Sequence, residues 1–208
     1  MTCAIKTINN VVVLDLECTA WKGSVERNWT GPDEEPEIIQ IGAVVITNKN
    51  NGWSIGPTFM EYVKPTIQPT LSGYIRTLTG INQHIIDCEG LHFNKALKRF
   101  TEFCPTDAVL TANGPDWQLL DRNCAINKIV NPISRVNFRN LRPYISKKLG
   151  LLSNDERLNS YQLYKVFDGE PGSAHDALSD ALNVARAAIR LHILETIAME
   201  FDIPQSQN

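Results

Sequence analysis

Residues 11–17 read Val-Val-Val-Leu-Asp-Leu-Glu, an apolar and mostly β-branched run that ends in two acids. Consecutive apolar side chains of this kind are typical of a strand that is buried on both faces. Residues two apart on a strand point to the same side, so Asp15 and Glu17 project together. The stretch therefore predicts a central strand that carries a pair of carboxylates at its carboxyl end.

The elements that follow this strand indicate the fold class. Strands are predicted at 38–46, 58–63, 108–112 and 135–140, and helices at about 92–104, from near 116, and at about 141–149, 160–167 and 176–199. Strands come first and then alternate with helices, which favours an α/β sheet with mixed strand directions. The polar link 21–36 contains Gly31-Pro32, so we expect an exposed and mobile loop there. We predict a single domain over 1–208, with a core at about 11–191.

Composition narrows the class of protein. The 208 residues include 43% hydrophobic ones, enough for a substantial core, and they contain no apolar run long enough to span a membrane. Residues 1–6 lack the charged-then-apolar plan of a secretory signal. The five cysteines form no Cys-x-x-Cys pair, so we expect reduced thiols and a cytoplasmic protein.

The charges are unevenly distributed along the chain. The net charge of −3 argues against a protein that coats nucleic acid by bulk electrostatics. Acids crowd residues 26–37, whereas lysine and arginine dominate residues 95–148. The basic stretch is either an ordinary solvated surface or a phosphate-contacting face beside an acidic site that holds cations.

The acids of the first strand have a metal-binding interpretation and a structural one. Neighbouring carboxylates at the edge of an apolar strand repel each other unless a cation lies between them. Hard divalent ions such as Mg²⁺ take oxygen ligands, which favours such a site at Asp15 and Glu17. The alternative is a solvent-exposed strand end with two acids, which the pattern alone does not exclude.

Acids later in the chain can complete the site. Asp116 begins a helix, where it either serves the site or simply complements the helix dipole. In residues 175–180, His175 and Asp180 converge only if His175 lies in the loop before the helix. Asp176 is then the N-cap, and Asp180 faces inward, where a metal would compensate its burial. The alternative for His175 is a loop histidine without a role.

The order of these residues resembles the three motifs of the DEDDh subgroup of DnaQ-like 3′→5′ exonucleases. The resemblance covers about 11–191 and includes Glu-Ile-Ile-Gln-Ile-Gly-Ala-Val at 37–44 and Leu-Thr-Gly-Ile at 78–81. Residues 113–116, Asn-Gly-Pro-Asp, are similar to the second motif of its Eri-like and KapD-like branch. The family's tyrosine variant would need a tyrosine where this chain has Asp176, so the histidine subgroup is indicated.

The resemblance implies a fold and a chemistry. The fold is ribonuclease H-like, with a mixed sheet of about five strands flanked by helices. Asp15, Glu17, Asp116 and Asp180 would hold two Mg²⁺ or Mn²⁺ ions, which act on the attacking water and on the leaving 3′ oxygen. His175 would take the proton of that water near neutral pH, and the product would be a nucleoside 5′-monophosphate.

The resemblance also implies a place for the terminal nucleotide. By match with relatives, the residues that hold it are Leu16, Thr19, Leu78 and Ile81. Ordinary packing is an equal alternative for Leu78 and Ile81. Trp21 lies just past the first motif, where it either stacks on a base or anchors the loop.

These observations leave competing functions open. The first is an exonuclease that trims single-stranded RNA from the 3′ end, which the Eri-like details favour. The second is a single-stranded DNA exonuclease for repair, proofreading or defence, because the catalytic motifs are indifferent to the sugar. The third is a non-catalytic nucleic-acid-binding module on the same fold, which the loss of an acid would signal; here all four acids and the histidine are present.

Overall fold

The computed structural model describes residues 8–49, 52–151, 158–170 and 172–202. The strands are β1 (Asn10–Cys18), β2 (Ile38–Lys49), β3 (Gly52–Lys64), β4 (Leu91–His92), β5 (Val109–Ala112) and β6 (Phe138–Asn140). The helices are α1 (Gly73–Thr79), α2 (Gln83–Glu89), α3 (Phe93–Phe103), α4 (Asp116–Ile126), α5 (Arg142–Leu149), α6 (Ala177–Arg190) and α7 (Ile193–Asp202). Residues 1–6, for which the sequence predicts no secretory signal, lie outside the described ranges.

The strands form one mixed sheet with β1 near its centre. The order is β4-β3-β2-β1-β5-β6. β1 pairs antiparallel with β2 and parallel with β5, and β5 pairs parallel with β6. This confirms the predicted α/β sheet of mixed direction, but the sheet has six strands where about five were expected. The additional strand is β4, whose two residues are too few to produce a hydropathy pattern.

Side chains of β1 alternate between the two faces of the sheet and are buried on both. Val12 and Leu14 belong to a core that also contains Phe100 of α3 and other side chains of α3 and α4. Val11 and Val13 belong to the core on the opposite face, which α6 and α7 cover. The apolar run of the first strand therefore has the predicted cause, which is burial under helices on both sides.

Helix α6 lies unusually close to β2. Its alanines at 177, 181, 185 and 188 form a stripe of small side chains, and all four are fully buried. A Cβ atom added to Gly42 of β2 would lie 2.1 Å from the carbonyl carbon of Ala177. Because the close contact is with helix backbone, it cannot be relieved by rotating a side chain. The start of α6 is thus held directly against the sheet.

The predicted helix 176–199 is divided into α6 and α7. The break lies at His192, whose φ of 52° is in the left-handed region and ends the regular helix. Ile193 and Ile197 of α7 nevertheless pack into the same core as α6, which is why the apolar period continues through the break. Among the helices that the structure describes, none has the length and apolar character needed to cross a bilayer.

Other predicted elements change type or were missed. Residues 160–166 form a 3-10 helix, and the predicted strand 135–140 begins with a 3-10 turn before β6. Helices α1 and α2 were not predicted because each has only seven residues. Their N-caps, Ser72 and Asn82, are residue types that favour the start of a helix, and this was the available sequence signal. Each accepts a hydrogen bond from the backbone N–H three residues later.

The link 21–36 is more ordered than its polar composition suggests. Val25 is 65% exposed, as expected for a surface segment. However, the Trp21 N–H donates to Ser24 Oγ at 2.7 Å, and Arg27 forms an ion pair with Glu34. The segment folds back on itself through these contacts, and the mobility of the loop stays a prediction.

The close approach of α6 to β2 predicts the effect of enlarging Gly42. Gly42→Ala should lower the free energy of unfolding by about 1–3 kcal/mol, the usual cost of overpacking, because backbone must move to admit the methyl group. Gly73→Ala is the matched control, since its nearest atom would be the mobile end of Arg76 at 4.0 Å. Urea unfolding measures both. Equal stability of the two variants would contradict the contact.

Candidate active site

Two parallel strands bring three of the predicted acids to one edge of the sheet. β1 and β5 run in the same direction, so their carboxyl ends meet. Asp15 and Glu17 lie at the end of β1, and α4 begins at Asp116, four residues after β5 ends at Ala112. The Leu16 N–H hydrogen-bonds the Asp116 carboxylate, which ties the start of α4 to β1.

The start of α6 is fixed to β2 beside these acids. Asp176 is the N-cap, as predicted, and accepts a hydrogen bond from the Ser179 N–H at 2.9 Å. Gln40, fully buried and opposite Glu17 in the β1–β2 register, donates to Asp176 Oδ2 and accepts from the Ala177 N–H, both at 2.9 Å. Gln40 was not predicted as part of the site. The available signal was a polar residue within the otherwise apolar run of β2.

This attachment places His175 and Asp180 next to Glu17. His175 lies in the loop before α6 with a φ of 58°, and its N–H hydrogen-bonds the Asp180 carboxylate. Asp180 is 3% exposed and faces the sheet. One ligand atom from each of Glu17, His175 and Asp180 lies within 4.8 Å of the others, close enough to share a metal ion. The loop position of His175 and the inward position of Asp180 are those that the sequence predicts.

Burial raises the pKa of all four acids, and repulsion from the other acids raises those of Asp15 and Glu17 further. Burial raises the pKa of Asp15 well above its usual value, and the charges of Asp116, Glu17 and Asp180 raise it further. Burial followed by repulsion from Asp180 and Asp116 raises the pKa of Glu17 to about 9. Burial raises the pKa of Asp180 to about 7 and that of Asp116 to about 6, where the nearby Arg142 moderates the increase. The four carboxylates therefore form one repulsive cluster.

The cluster fits a divalent cation. Within the part of the chain that the structure describes, Asp180 Oδ1 is buried and has no hydrogen-bond partner. A buried carboxylate oxygen without a partner costs free energy, and a cation would remove that cost. Carboxylate oxygens are also the ligands that Mg²⁺ and Mn²⁺ prefer. Asp15, Glu17, Asp116 and Asp180 are thus candidate ligands by chemistry as well as by position.

His175 is suited to accept a proton. Burial lowers the pKa of its imidazole from the usual value, because a half-buried ring disfavours the charged form. The neutral form, which has a free ring nitrogen, is therefore favoured at neutral pH. Its ring nitrogen lies beside Glu17 and Asp180, where a water held by a metal ion would be within reach.

A short segment far along the chain supports Asp15. The Ser160 hydroxyl hydrogen-bonds the Asp15 carboxylate, which opposes part of the increase in its pKa. Asn113 Nδ2 donates to Ser160 Oγ at 3.4 Å and to the Leu158 carbonyl at 3.2 Å. The sequence predicts only a helix at these positions. No local pattern marks Ser160, because the contact depends on how the chain returns to the sheet.

Thr19, predicted to hold the terminal nucleotide, is bonded within the protein. It is 2% exposed, and its N–H donates to the Glu37 carbonyl at 2.8 Å. Its carbonyl accepts a hydrogen bond from Trp29 Nε1 at 2.9 Å, and its hydroxyl donates to the Glu35 carbonyl. These hydrogen bonds connect the end of β1 to the link 21–36 and to the start of β2.

The other residues predicted to contact the nucleotide have mixed surroundings. Leu16 is 8% exposed and packs in the core under α4. Ile81 is 4% exposed and belongs to a small core with Ile39 and Ile75. Leu78 is only partly buried against that core. Of these three, Leu78 has the side chain most available to a ligand.

Comparison with known proteins gives a consistent family. A family model named RNase_T and described as an exonuclease matches residues 12–188. The protein named 3′-5′ exonuclease Snipper from Drosophila melanogaster is 32% identical over 100 residues, which are 48% of this chain and 33% of the relative. The 3′-5′ exoribonuclease 1 of Mus musculus is 26% identical over 194 residues, covering 87% of this chain and 52% of the relative.

Solved structures share the fold. The nuclease domain of 3′hExo, described as a DEDDh family member bound to rAMP, has a TM-score of 0.72 at 23% identity and covers 91% of this chain and 93% of that one. Cell-death related nuclease 4 has a TM-score of 0.71 at 21% identity, covering 90% of this chain and 65% of that one. Both therefore support the ribonuclease H-like fold. This chain spans between a third and about half of the full length of the two relatives above.

The repulsive cluster predicts how stability depends on pH and metal. The pKa values of Glu17, Asp116 and Asp180 are about 9, 6 and 7 in the folded protein, above the ordinary values of 4.5, 3.8 and 3.8. Between pH 4 and 9 the folded state thus binds more protons than the unfolded state. Without metal, the melting temperature should fall as pH rises through this window.

Addition of millimolar Mg²⁺ or Mn²⁺ should raise the melting temperature, most strongly at the upper end of the window, where the acids are ionised and bind a cation. Asp180→Asn should weaken both effects. Thermal unfolding in EDTA and in metal, from pH 5 to 8.5, measures them. A flat pH dependence without metal, or no effect of either ion, would count against the cluster.

Proposed function

The chain belongs to the RNase_T exonuclease family, and we propose that it is a metal-dependent 3′→5′ exonuclease acting on single-stranded nucleic acid. The observation that carries the proposal is the convergence of four carboxylates, of which Glu17 and Asp180 are buried, with His175 at the carboxyl end of β1. We propose Asp15, Glu17, Asp116 and Asp180 as metal ligands. A single exonuclease domain over 1–208, with its core at about 11–191, is part of the proposal.

We propose RNA as the preferred substrate. The support is that relatives covering 87% of this chain are named 3′-5′ exoribonucleases. A solved nuclease domain of the same fold is described as bound to rAMP, and another structure as recognising a histone mRNA stem-loop. Bacterial exonuclease I has the same fold and is described in complex with single-stranded DNA, so DNA is the alternative. Terminal nucleotides would leave as nucleoside 5′-monophosphates.

The four carboxylates and His175 would have separate roles in the reaction, which are metal binding and proton transfer. Two Mg²⁺ or Mn²⁺ ions, when bound by the four carboxylates, would supply an activated water and stabilise the leaving 3′ oxygen. His175, neutral because burial lowers its pKa, accepts the proton of the attacking water at a ring nitrogen. The Asp180 carboxylate accepts a hydrogen bond from the backbone N–H of His175. This contact keeps the proposed metal ligand and the proposed base at a fixed spacing.

Residues around the acids would position the 3′ end of the nucleic acid. Leu78 offers a partly exposed apolar side chain for a base or sugar. Leu16, Thr19 and Ile81 shape the wall rather than present free polar groups. The described cysteines are all free thiols, which supports our proposal that the protein works in a reducing compartment such as the cytoplasm.

The two acids of α4 provide a matched test of the metal ligands. Asp116→Asn should reduce cleavage by roughly 100-fold or more, because it removes a negative charge that would hold the metal ions, and these ions would stabilise the transition state. Asp121→Asn is the control, since Asp121 lies on the same helix but is exposed and hydrogen-bonded to Asn131. Turnover of end-labelled RNA measures both. Equal activities would remove Asp116 from the site.

Digestion of defined strands tests the direction of cleavage and the preference for RNA over DNA. Linear single-stranded RNA should shorten from its 3′ end and release mononucleotides from the first time point, and a circular strand of the same sequence should resist. Matched DNA should be degraded more slowly. Faster digestion of DNA would favour the alternative substrate, whereas cutting of the circle would mean internal cleavage and overturn the exonuclease proposal. EDTA should stop every reaction.

A further inference from the structure

The His175 imidazole has an aromatic neighbour from a different part of the chain. The ring centroids of Tyr161 and His175 are 5.1 Å apart, and the planes are tilted by 45°. This separation is within the 4.5–7 Å range in which aromatic rings attract each other in preferred orientations. Among the described residues, no hydrogen bond to the imidazole accompanies this contact.

The backbone of His175 is restrained independently of its ring. Its φ of 58° is a left-handed conformation that a non-glycine residue rarely adopts. The hydrogen bond from its N–H to Asp180 and the attachment of Asp176 to Gln40 hold that conformation. These contacts fix the Cα position but leave the side-chain torsions free. The direction of the imidazole therefore depends on what the ring touches.

Tyr161 is carried by a well-anchored turn. It lies in the 3-10 helix Ser160–Val166, which Asn159 and Gln162 close with reciprocal capping hydrogen bonds. Leu163 of this turn is fully buried in the core that contains Ala181 of α6. The turn that presents Tyr161 is thus packed against the helix that follows His175, so the spacing of the two rings is set by the core.

The same turn touches a second component of the site. Ser160, the residue before Tyr161, hydrogen-bonds the Asp15 carboxylate. Asn113, at the end of β5, donates to Ser160 in turn. Consecutive residues of one turn therefore contact one candidate metal ligand and the candidate base.

We propose that Tyr161 is a positioning residue that directs the His175 imidazole toward the acid cluster. The inference rests on the proposed function, because it concerns the base of that reaction. The tyrosine ring restricts the torsions of His175, so that a larger fraction of molecules has the ring nitrogen beside Glu17 and Asp180. Tyr161 acts through His175 and makes no contact with the reacting atoms.

A double-mutant cycle tests this dependence. Tyr161→Leu should lower kcat by roughly 3- to 10-fold with KM unchanged, the effect expected for losing one aromatic contact. In a His175→Ala background, the same substitution should have no effect on the single-turnover rate, because the base that it positions is absent. Tyr161→Phe keeps the ring and should retain the parental kcat.

Controls separate positioning from folding. Tyr164→Leu alters a tyrosine of the same turn, whose ring neighbour is Lys165, and should leave kcat unchanged. Tyr161→Met replaces the ring with a flexible apolar chain and gives a second readout if the leucine variant does not fold. Melting temperature and Mn²⁺ affinity are measured for each variant.

The proposal is overturned if loss of the Tyr161 ring leaves the rate unchanged in both the parent and the His175→Ala backgrounds. It is also overturned if that loss lowers the rate equally in both. A loss of kcat in Tyr161→Phe equal to that in Tyr161→Leu would also overturn it, since the hydroxyl would then be responsible. Failure of the parent protein to degrade any strand would instead reject the proposed function. The two failures are therefore distinguishable.

Discussion

Four carboxylates share a small, largely buried volume at the end of β1, and the rest of the structure depends on how their repulsion is contained. Burial raises the pKa of Asp15, Glu17 and Asp180, and repulsion within the cluster raises those of Asp15 and Glu17 further, so the folded chain holds these acids at a cost in free energy. The strand that carries Asp15 and Glu17 is packed under helices on both faces, so it cannot move to separate the acids. A divalent cation bound by these carboxylates would relieve this repulsion.

The acids depend on a framework of neutral polar contacts. Gln40 binds both Asp176 and the first N–H of α6, and Gly42 lets the helix backbone lie against the sheet. These contacts place His175 and Asp180 beside Glu17. The packing of β1 and α6 therefore stabilises the fold at this edge of the sheet, whereas the repulsion among the acids destabilises it.

The sequence predicted the positions of the charged side chains of the candidate site better than the contacts that hold them. Asp15 and Glu17 follow an apolar strand, and the spacing of His175 and Asp180 requires a loop and then a helix; local geometry gives both. Gln40 and Ala177 are 137 positions apart, so no local pattern predicts their contact. The contacts of Ser160 and Tyr161 depend in the same way on how the chain returns to the sheet.

The fold was predictable where periodicity is strong. β1, β2 and α3 lie close to their predicted bounds, whereas the break between α6 and α7 depends on the left-handed φ of His192, to which hydropathy is insensitive. The predicted helical stretch at 160–167 forms a 3-10 helix over residues 160–166, in which Leu163 is the one buried residue.

Titration of the metal-free protein with Mn²⁺, followed by calorimetry or by the loss of free-ion EPR signal, tests the central claim most directly. The account predicts two ions per chain, with binding that tightens as pH rises from 6 to 8 because protons compete for the same carboxylates. Asp15→Asn and Asp180→Asn should each weaken it, and Asp121→Asn should not. A parent protein that binds no Mn²⁺ at millimolar concentration, or whose binding is unaffected by these two substitutions, would contradict it.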